Sequence, residues 1–301
     1  MKALVTGGAG FIGSNLIEEL ISQDYDVVCL DINPHGHWNK NTANYVGDVC
    51  NYPLVDSLMK DVDYVFHLAA DVRIQDCIKN PIQCYHNNVI GTATVLEAAR
   101  NNDVRNVVFS STCAIYECKW LVQSEGSPED ASLNPYASSK KSGEDLCKLY
   151  STSYGLHTTI LRYFNVYGER QHTSGQYAPV VGVFMKQQDQ GLPLTITGDG
   201  SQRRDFIHVN DVVQANILAA RSVMSPTDCK TAEIYNVGSG VNYSIKEIAD
   251  TISTEQEYID KRTGEIQATQ AEITKIKEFF GWTPKVNLRE WLLDNHKDCI
   301  K

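Results

Sequence analysis

Residues 2–13 read KALVTGGAGFIG, a short apolar run that ends in four closely spaced glycines. Gly8, Gly10 and Gly13 have the G-x-G-x-x-G spacing, and Gly7 comes just before them. Glycines at these positions allow a tight turn between strand and helix and let backbone N–H groups approach a pyrophosphate. The start of the following helix would face that anion with its partial positive charge. The stretch therefore predicts the first β–α turn of a dinucleotide-binding fold, although a tight turn without a ligand has the same pattern.

A carboxylate follows the second predicted strand, because Asp31 comes 18 residues after Gly13. A carboxylate at this place can accept hydrogen bonds from both ribose hydroxyls of an adenosine and would repel a 2′-phosphate, which favours NAD over NADP. Two weaker signals agree with this prediction. GDV at 47–49 places Asp48 and Val49 where a side chain and a backbone amide could contact adenine, and HLAA at 67–70 ends a strand with small residues that leave room for a dinucleotide. Each weak signal alone fits small core residues equally well.

Short β-rich runs alternate with helical stretches along the first half of the chain. Strands are predicted at 2–6, 26–30, 43–48, 63–70, 105–112 and 158–166, and helices at 11–22, 53–60, 87–101 and 136–154. Such alternation implies right-handed crossovers and a doubly wound parallel sheet. After residue 166 the alternation changes, with helices predicted near 179–190 and 210–222. We expect an α/β protein with a Rossmann-type NAD-binding domain over 1–165, to which 205–237 returns, and a smaller interleaved substrate domain over 166–301.

Composition excludes several classes of protein. The formal net charge of -10 over 301 residues argues against broad nucleic-acid binding. No apolar run reaches the length of a membrane span, and the glycine loop comes too early for a signal peptide. The nine cysteines are scattered without a C-x-x-C pair, and the eight histidines show no metal-ligand spacing. We expect a cytoplasmic protein with reduced thiols and without a metal, nucleic-acid or membrane partner.

Two short stretches carry candidate chemistry, SSTCAIY at 110–116 and YASSK at 136–140. Thr112 ends the fifth predicted strand, and Tyr136 follows a helix-starting Asn-Pro pair, with Lys140 one helical turn later on the same face. An ammonium near a phenol favours the phenolate, as does a positive nicotinamide ring. We therefore expect the pKa of Tyr136 to fall from about 10 toward neutrality, so that it serves as a general base beside the Thr112 hydroxyl. By itself a Y-x-x-x-K pair is also common on protein surfaces.

Together TGGAGFIG, Asp31, SSTCAIY, YASSK, YFNVYGERQ and RRDFIHVNDV resemble the extended short-chain dehydrogenase/reductase family, nearly end to end and in the family's order. More closely, they resemble its NAD-dependent nucleotide-sugar epimerases, typified by UDP-galactose 4-epimerase. The resemblance implies tightly held NAD in the N-terminal domain and a nucleoside-diphosphate sugar in the smaller one. It also implies a homodimer joined through the helices at 87–101 and 136–154.

Site residues follow from the resemblance. It implies that Thr112, Tyr136 and Lys140 are catalytic. The cofactor residues that it implies are Gly7, Gly10, Phe11, Ile12, Gly13, Asp31, Asp48, Val49, Leu68, Ala69, Ala70, Asn88, Ser110, Tyr136, Lys140 and Tyr163. For the substrate it implies Thr112, Asn165, Arg204, Arg262 and Thr269. Arginines suit a diphosphate because the guanidinium fork matches phosphate oxygens, although surface ion pairs with Asp205 or Glu265 would use the same residues.

The residues after Thr112 separate the branches of the family. Epimerases and dehydratases share a first step, in which Tyr136 takes the proton of the sugar 4-hydroxyl and NAD⁺ takes the hydride from C4. Related dehydratases carry an Asp-Glu pair directly after the catalytic threonine, and related decarboxylases keep a glutamate, whereas Cys113 and Ala114 stand here. We therefore expect inversion at C4 through a transient 4-keto sugar. A dehydratase or decarboxylase, a C3 or C5 epimerase, and a non-catalytic NAD-binding sensor remain as alternatives.

Substrate breadth rests on one further position. Epimerases restricted to UDP-glucose and UDP-galactose place a tyrosine seven residues after the arginine of an R-x-G-[DE] motif. Counting from Arg262 gives Thr269. The smaller side chain leaves room for a 2-N-acetyl group, unless another residue fills the gap. We therefore hypothesise that UDP-GlcNAc and UDP-GalNAc are accepted beside UDP-glucose and UDP-galactose.

Overall fold

The computed structural model describes residues 1–117, 121–173, 179–222, 232–261 and 267–296. Its strands are β1 (Lys2–Thr6), β2 (Asp26–Asp31), β3 (Ala43–Val46), β4 (Tyr64–His67), β5 (Asn106–Thr112), β6 (Val122–Gln123), β7 (Thr158–Tyr163), β8 (Asn165–Tyr167), β9 (Leu194–Thr197), β10 (Arg203–His208), β11 (Glu233–Val237), β12 (Asn242–Ser244), β13 (Gln256–Ile259) and β14 (Gln270–Ala271). Its α-helices are α1 (Phe11–Ser22), α2 (Tyr52–Leu58), α3 (Ile74–Lys79), α4 (Pro81–Tyr85), α5 (Gly91–Asn101), α6 (Pro135–Tyr154), α7 (Val180–Asp189), α8 (Val209–Arg221), α9 (Ile245–Ile252), α10 (Thr274–Phe280) and α11 (Leu288–His296).

A seven-stranded parallel sheet forms the centre of the fold, in the order β11-β7-β5-β4-β1-β2-β3. Every residue of β4, β5 and β7 is buried, as expected for strands covered by helices on both faces. Strand order reverses between β1 and β4, and a crevice opens beyond the carboxyl ends of strands at such a switch point. The predicted Rossmann-type doubly wound sheet is confirmed.

Two apolar layers cover the sheet. On one face, Leu16 and Leu20 of α1 and Val212 of α8 pack against strand residues such as Leu161. On the other, α2, α5 and α6 pack over a second layer that includes Phe109. Both faces of the sheet are therefore shielded from water by helices, and the ends of the strands remain accessible to polar ligands.

The second half of the chain forms a smaller α/β unit. Here β8 and β12 pair with β10, β13 pairs with β9, and the helices α7, α9 and α11 enclose a separate apolar core. The chain also returns to the large sheet, because α8 packs beside α1 and β11 pairs with β7. Within 205–237, β10 belongs to the smaller sheet, α8 and β11 belong to the larger body, and residues 223–231 lie outside the described residues.

Some element boundaries differ from the sequence predictions. The run at 158–166 is interrupted at Phe164, whose N–H bonds to the Val237 carbonyl, so β7 and β8 lie in different sheets. The helix predicted from 87 begins with α4 and continues through a π-helical turn, His86–Ile90, into α5. The local sequence predicts neither feature. None of the described helices is long and apolar enough to cross a membrane.

Candidate active site

The glycine loop joins β1 to α1 beneath the end of β4. Gly7 has a φ of +70°, and a Cβ there would lie 2.7 Å from the Ala69 nitrogen and 2.8 Å from the Leu68 carbonyl carbon. A Cβ on Gly13 would collide with the Gly7 carbonyl. Helix α1 has Gly10 as its N-cap without a side-chain cap, so its first N–H groups are available to an anion. The loop therefore fits a dinucleotide pyrophosphate.

Other residues predicted for the cofactor border this loop. Phe11 and Ile12 form the half-buried first turn of α1, and Leu68, Ala69 and Ala70 are half-buried after β4. The Asp31 carboxylate is held at the end of β2, because its oxygens accept from the Ala9 N–H at 3.0 Å and the Asn33 N–H at 2.9 Å. An ionised carboxylate has about four acceptor sites, so this one can still receive ribose hydroxyls.

Asp48 and Val49 have local roles as well. The Asp48 carboxylate accepts a hydrogen bond from the Cys50 N–H at 2.8 Å and fixes the turn before α2. Val49 is buried in the layer beneath α2 and α5. The structure thus places both residues close to the sheet edge after β3, on the Asp31 side of the fold.

Strand β5 and helix α6 bring the candidate catalytic groups together. Thr112 is the last residue of β5, and its hydroxyl accepts from the Ala114 N–H at 3.1 Å. Helix α6 begins where expected, because the Asn134 side chain caps it by accepting from the Ala137 N–H at 2.9 Å. The Tyr136 side chain lies beside that of Thr112, and the buried Lys140 ammonium donates to the Ser110 carbonyl at 2.9 Å. All three residues therefore meet at the end of β5.

Desolvation is the largest influence on the electrostatics of this group. Desolvation of the half-buried phenol raises the pKa of Tyr136 above its ordinary value, and its interaction with Thr112 offsets this only in part. Burial also lowers the pKa of Lys140 to about 8. The lowering of the Tyr136 pKa expected beside a positive nicotinamide ring stays a prediction, because in the chain alone desolvation of the phenol is the largest influence on its pKa.

Asn88 lies in the π-helical turn, and its side chain forms hydrogen bonds with two parts of the site. Its side-chain oxygen accepts from the Asp71 N–H at 2.7 Å, and its nitrogen donates to the Asp71 carbonyl at 3.0 Å and to Ser139 Oγ at 2.9 Å. The Ser139 hydroxyl in turn donates to the Tyr136 carbonyl at 2.8 Å. Asn88 therefore connects the segment that follows Ala70 to the catalytic helix.

Ser110 of β5 and Tyr163 of β7 lie on adjacent strands next to the catalytic group. Their hydroxyls are 3.1 Å apart, and the Tyr163 hydroxyl donates to Asn216 Oδ1 of α8 at 2.8 Å. Burial raises the pKa of Tyr163 to about 12. The phenol of Tyr163 is thus held neutral within the protein, while the Ser110 carbonyl receives Lys140.

A cavity of about 230 Å³ opens where β8 and β10 meet α7. Asn165 and Arg204 both line it, together with Gln202, Tyr167 and Phe206. The Asn165 side chain donates to the Asp205 carbonyl at 2.7 Å, and Arg204 Nη1 donates to the Arg203 carbonyl at 2.8 Å. The structure thus brings two of the predicted substrate residues together beside the end of β7.

The remaining substrate residues are placed only in part. Thr269 is buried, its N–H bonds to the Arg203 carbonyl at 3.2 Å, and its hydroxyl has no hydrogen-bond partner. Arg262 and its companion Glu265 lie outside the described residues. Within the described part of the chain, six cysteines are free thiols and no His, Cys, Asp or Glu cluster could hold a metal ion.

Sequence reasoning missed a buried ionic group beside the site. Arg162 of β7 and Glu144 of α6 have fully buried side chains that form an ion pair. A charged residue inside the apolar run TTILRYFNV was the available signal, because an arginine is almost never fully buried unless it is paired.

Comparisons with known proteins agree with this geometry. Residues 3–238 match the NAD dependent epimerase/dehydratase family. A UDP-glucose 4-epimerase of Halalkalibacterium halodurans is 31% identical over 98% of this chain and 94% of its own length. The crystal structure of a Thermotoga maritima UDP-glucose 4-epimerase with UDP-glucose has a TM-score of 0.90 at 31% identity, covering 100% of both chains. A Methanobrevibacter ruminantium UDP-N-acetylglucosamine 4-epimerase in complex with UDP-N-acetylmuramic acid has a TM-score of 0.90 at 32% identity, covering 98% of this chain and 97% of its own. This chain belongs to the NAD-dependent epimerase/dehydratase family.

Proposed function

We propose that this protein is an NAD-dependent 4-epimerase of nucleoside-diphosphate sugars, with UDP-glucose and UDP-galactose as its substrate pair. The observation that carries the proposal is the meeting of Thr112, Tyr136 and Lys140 at the end of β5, beside the glycine loop. Relatives named as UDP-glucose 4-epimerases support the choice of substrate.

Proton transfer is the task of Tyr136. When bound, NAD⁺ supplies the acceptor, and after reduction the donor, of the hydride at C4 of the sugar, and it adds a positive charge beside the phenol. Desolvation raises the pKa of Tyr136 in the chain alone, and positive charge added to its surroundings would oppose this shift and favour the phenolate. As a phenolate it takes the proton of the sugar 4-hydroxyl, with the Thr112 hydroxyl sharing that hydrogen bond. Returning the proton completes the cycle without net oxidation.

Epimerisation is favoured over dehydration by the residues after Thr112. A dehydratase needs an acid and a base to remove a C5 proton and a leaving hydroxyl, and Cys113 and Ala114 cannot supply them. The Ala114 N–H is bonded to the Thr112 hydroxyl, so this short turn serves to orient the threonine. The sugar therefore leaves with its carbon skeleton and hydroxyls intact.

The diphosphate is assigned to the cavity at β8 and β10. Arg204 and Asn165 line it from adjacent strands, and a guanidinium with an amide suits phosphate oxygens. Arg262 is proposed as a second cation on the diphosphate by family resemblance alone. The hypothesis that 2-N-acetylated sugars are also accepted rests on the small side chain at Thr269.

Product analysis tests the activity. Wild-type protein incubated with UDP-galactose should yield UDP-glucose by NMR, whereas Tyr136→Phe should lower the rate by about 10²- to 10⁴-fold because general-base catalysis is lost. Tyr154→Phe is a matched control on the same helix, since Tyr154 is 54% exposed. An unchanged rate in Tyr136→Phe would reject the mechanism, and a 4-keto-6-deoxy sugar would identify a dehydratase.

We also propose a homodimer, formed through the helices beside α6. Exposed aliphatic side chains occur on α3, α4, the π-helical turn and α6, where Ile78, Ile82, Ile90 and Leu149 are 48%, 86%, 50% and 50% exposed. Association of two copies through this face would remove it from water. Light scattering after size exclusion should give twice the chain mass for wild type and the single mass for an Ile82→Glu, Leu149→Glu variant. A monomeric wild type would reject the dimer.

A cytoplasmic location is proposed as well. It rests on the free thiols of the described cysteines, since disulfides are rare in reducing compartments. Fractionation of cells should recover the protein with cytoplasmic markers, and recovery elsewhere would reject the proposal.

A further inference from the structure

Arg162 makes contacts with three separate segments around the catalytic group. Its Nε donates to Glu144 Oε1 at 2.7 Å and its Nη2 donates to Glu144 Oε2 at 2.6 Å, a bidentate pair. Nη2 also donates to Glu129 Oε1. The guanidinium carbon lies 4.7 Å from the centre of the Tyr116 ring. One side chain from β7 thus meets helix α6 and both ends of the loop that joins β5 to α6.

Glu144 extends this contact to β5. It lies one helical turn after Lys140, and its side chain is completely buried. Ser111, the residue before Thr112, donates its hydroxyl to Glu144 Oε1 at 2.6 Å. The Glu144 carboxylate is therefore held by donors from two adjacent strands. Any shift of α6 along the sheet would break these hydrogen bonds together.

The loop between Thr112 and Tyr136 is held by the same side chain. Tyr116 and Glu129 form an antiparallel bridge across this loop, and both contact Arg162. The Tyr116 hydroxyl also donates to Asn236 Oδ1 at 2.6 Å, which anchors the loop to β11. The loop start, the loop end and the helix are therefore fixed with respect to one buried cation.

We propose that Arg162 is a positioning residue for the epimerase reaction, acting through Glu144 and Ser111 to set α6 against the end of β5. The proposal rests on the function assigned above to Thr112 and Tyr136. A planar fork fixes distance and orientation in a way that a point charge cannot. A buried ion pair contributes little net stability compared with an apolar pair, so its geometric role is the one that an apolar pair could not replace. A misplacement of reacting groups by about 1 Å is enough to lower the catalytic rate by about 10²-fold.

A purely structural role is the competing explanation, and Asn106 provides a control for it. Asn106 begins β5, at the opposite end from Thr112, and is buried. Its side chain donates to Thr159 Oγ1 at 3.1 Å and to the Ala219 carbonyl at 2.9 Å. Asn106→Ala should therefore destabilise the same sheet without disturbing the contacts of α6.

Three single variants, Arg162→Lys, Glu144→Gln and Asn106→Ala, and the double variant of the first two decide between the roles. We expect Arg162→Lys and Glu144→Gln each to lower kcat for UDP-galactose at least tenfold, with KM changed less than twofold. The double variant should lose no more than the worse single variant, because the two residues act as a unit. Asn106→Ala should keep kcat within twofold at a comparable loss of Tm.

Normal kcat in a folded Arg162→Lys variant would overturn the proposal, as would an equal fall of kcat in Asn106→Ala. Should Arg162→Lys not fold, Glu144→Gln decides by the same criteria, since it keeps the size and shape of the side chain. Amide hydrogen exchange over residues 135–146 gives a readout without substrate. Exchange should accelerate there in Arg162→Lys but not in Asn106→Ala. If wild type fails to convert UDP-galactose, the proposed function falls, and unchanged exchange in Arg162→Lys would separately reject the positioning role.

Discussion

The Lys140 ammonium donates a hydrogen bond of 2.9 Å to the Ser110 carbonyl, two residues before Thr112. The nitrogen also lies 5.0 Å from the centre of the Phe109 ring. Both contacts keep the cation inside the protein, against β5. Lys140 therefore joins the catalytic helix to the catalytic strand before any ligand arrives.

Stability should rise in alkaline solution because of Lys140. Burial lowers its pKa from 10.5 to about 8, so between these pH values the unfolded chain binds the proton more tightly than the folded chain. Below pH 8 the lysine is charged in the folded chain, so folding is opposed by the full free energy of burying that charge. This unfavourable contribution decreases as pH rises. Between pH 7 and 9.5 the unfolding free energy of wild type should gain roughly 2 kcal/mol relative to Lys140→Met. Parallel pH profiles for the two proteins, measured by urea denaturation, would contradict the assignment.

Acid should destabilise the protein through His67. This buried ring lies between the hydroxyls of Thr6 at 2.7 Å and Thr92 at 3.0 Å, and burial, assisted by Lys140, lowers its pKa to about 3. The unfolded chain binds the proton from an ordinary pKa of 6.5, so stability is present above that pH and is lost progressively below it. From pH 6.5 to 4.5 wild type should lose roughly 2–3 kcal/mol more than His67→Asn. Equal losses would show that other groups govern the acid transition.

Replacing Gly7 with any residue that has a side chain should destabilise the protein. Its φ of +70° and the 2.7 Å approach of the Ala69 nitrogen leave no space for a Cβ. Gly7→Ala should lower the unfolding free energy by about 1–2 kcal/mol from backbone conformation alone and should weaken NAD binding at least tenfold. Gly126→Ala is the matched control, because a Cβ there meets no atom within 4 Å. Calorimetric titration with NAD measures both variants, and wild-type affinity in Gly7→Ala would exclude the loop from the cofactor site.

Thr269 should govern the breadth of substrate. Thr269→Tyr should lower kcat/KM for UDP-GlcNAc at least tenfold more than for UDP-galactose, because the ring would fill the space proposed for the N-acetyl group. Thr269→Val keeps the size of the side chain and removes only the unpartnered hydroxyl, so it should leave the ratio within about twofold. Failure of wild type to convert UDP-GlcNAc, or an unchanged ratio in Thr269→Tyr, would contradict the hypothesis.

Local signals explain which parts of the fold could be predicted. The glycine turn before Phe11 and the Asn134 cap before Pro135 are decided by neighbouring residues, and both occur where the sequence places them. The break at Phe164 depends on a hydrogen bond to Val237, which is distant along the chain. Short apolar runs carry no information about such partners.

The catalytic group shows the same difference between features that the local sequence predicts and features that depend on the folded chain. The order of Thr112, Tyr136 and Lys140 along the chain was sufficient to predict that they lie together, because the parallel sheet fixes where β5 and α6 meet. The direction of the Tyr136 pKa was not predictable, because it depends on how much water the folded chain excludes from the phenol. Likewise, the partners of Arg162 come from three segments that only the tertiary structure assembles.

The π-helical turn at His86–Ile90 sets a limit on chain length as well as on side-chain identity. Deleting one residue there would restore an ordinary α-helix and rotate one end of the segment by about 100° relative to the other. Asn88 would then turn away from either Asp71 or Ser139. The hydrogen bonds that join the segment after Ala70 to the catalytic helix would be lost, while most of the apolar packing would remain. The exposed His86 can therefore be replaced far more safely than any single residue of this turn can be removed.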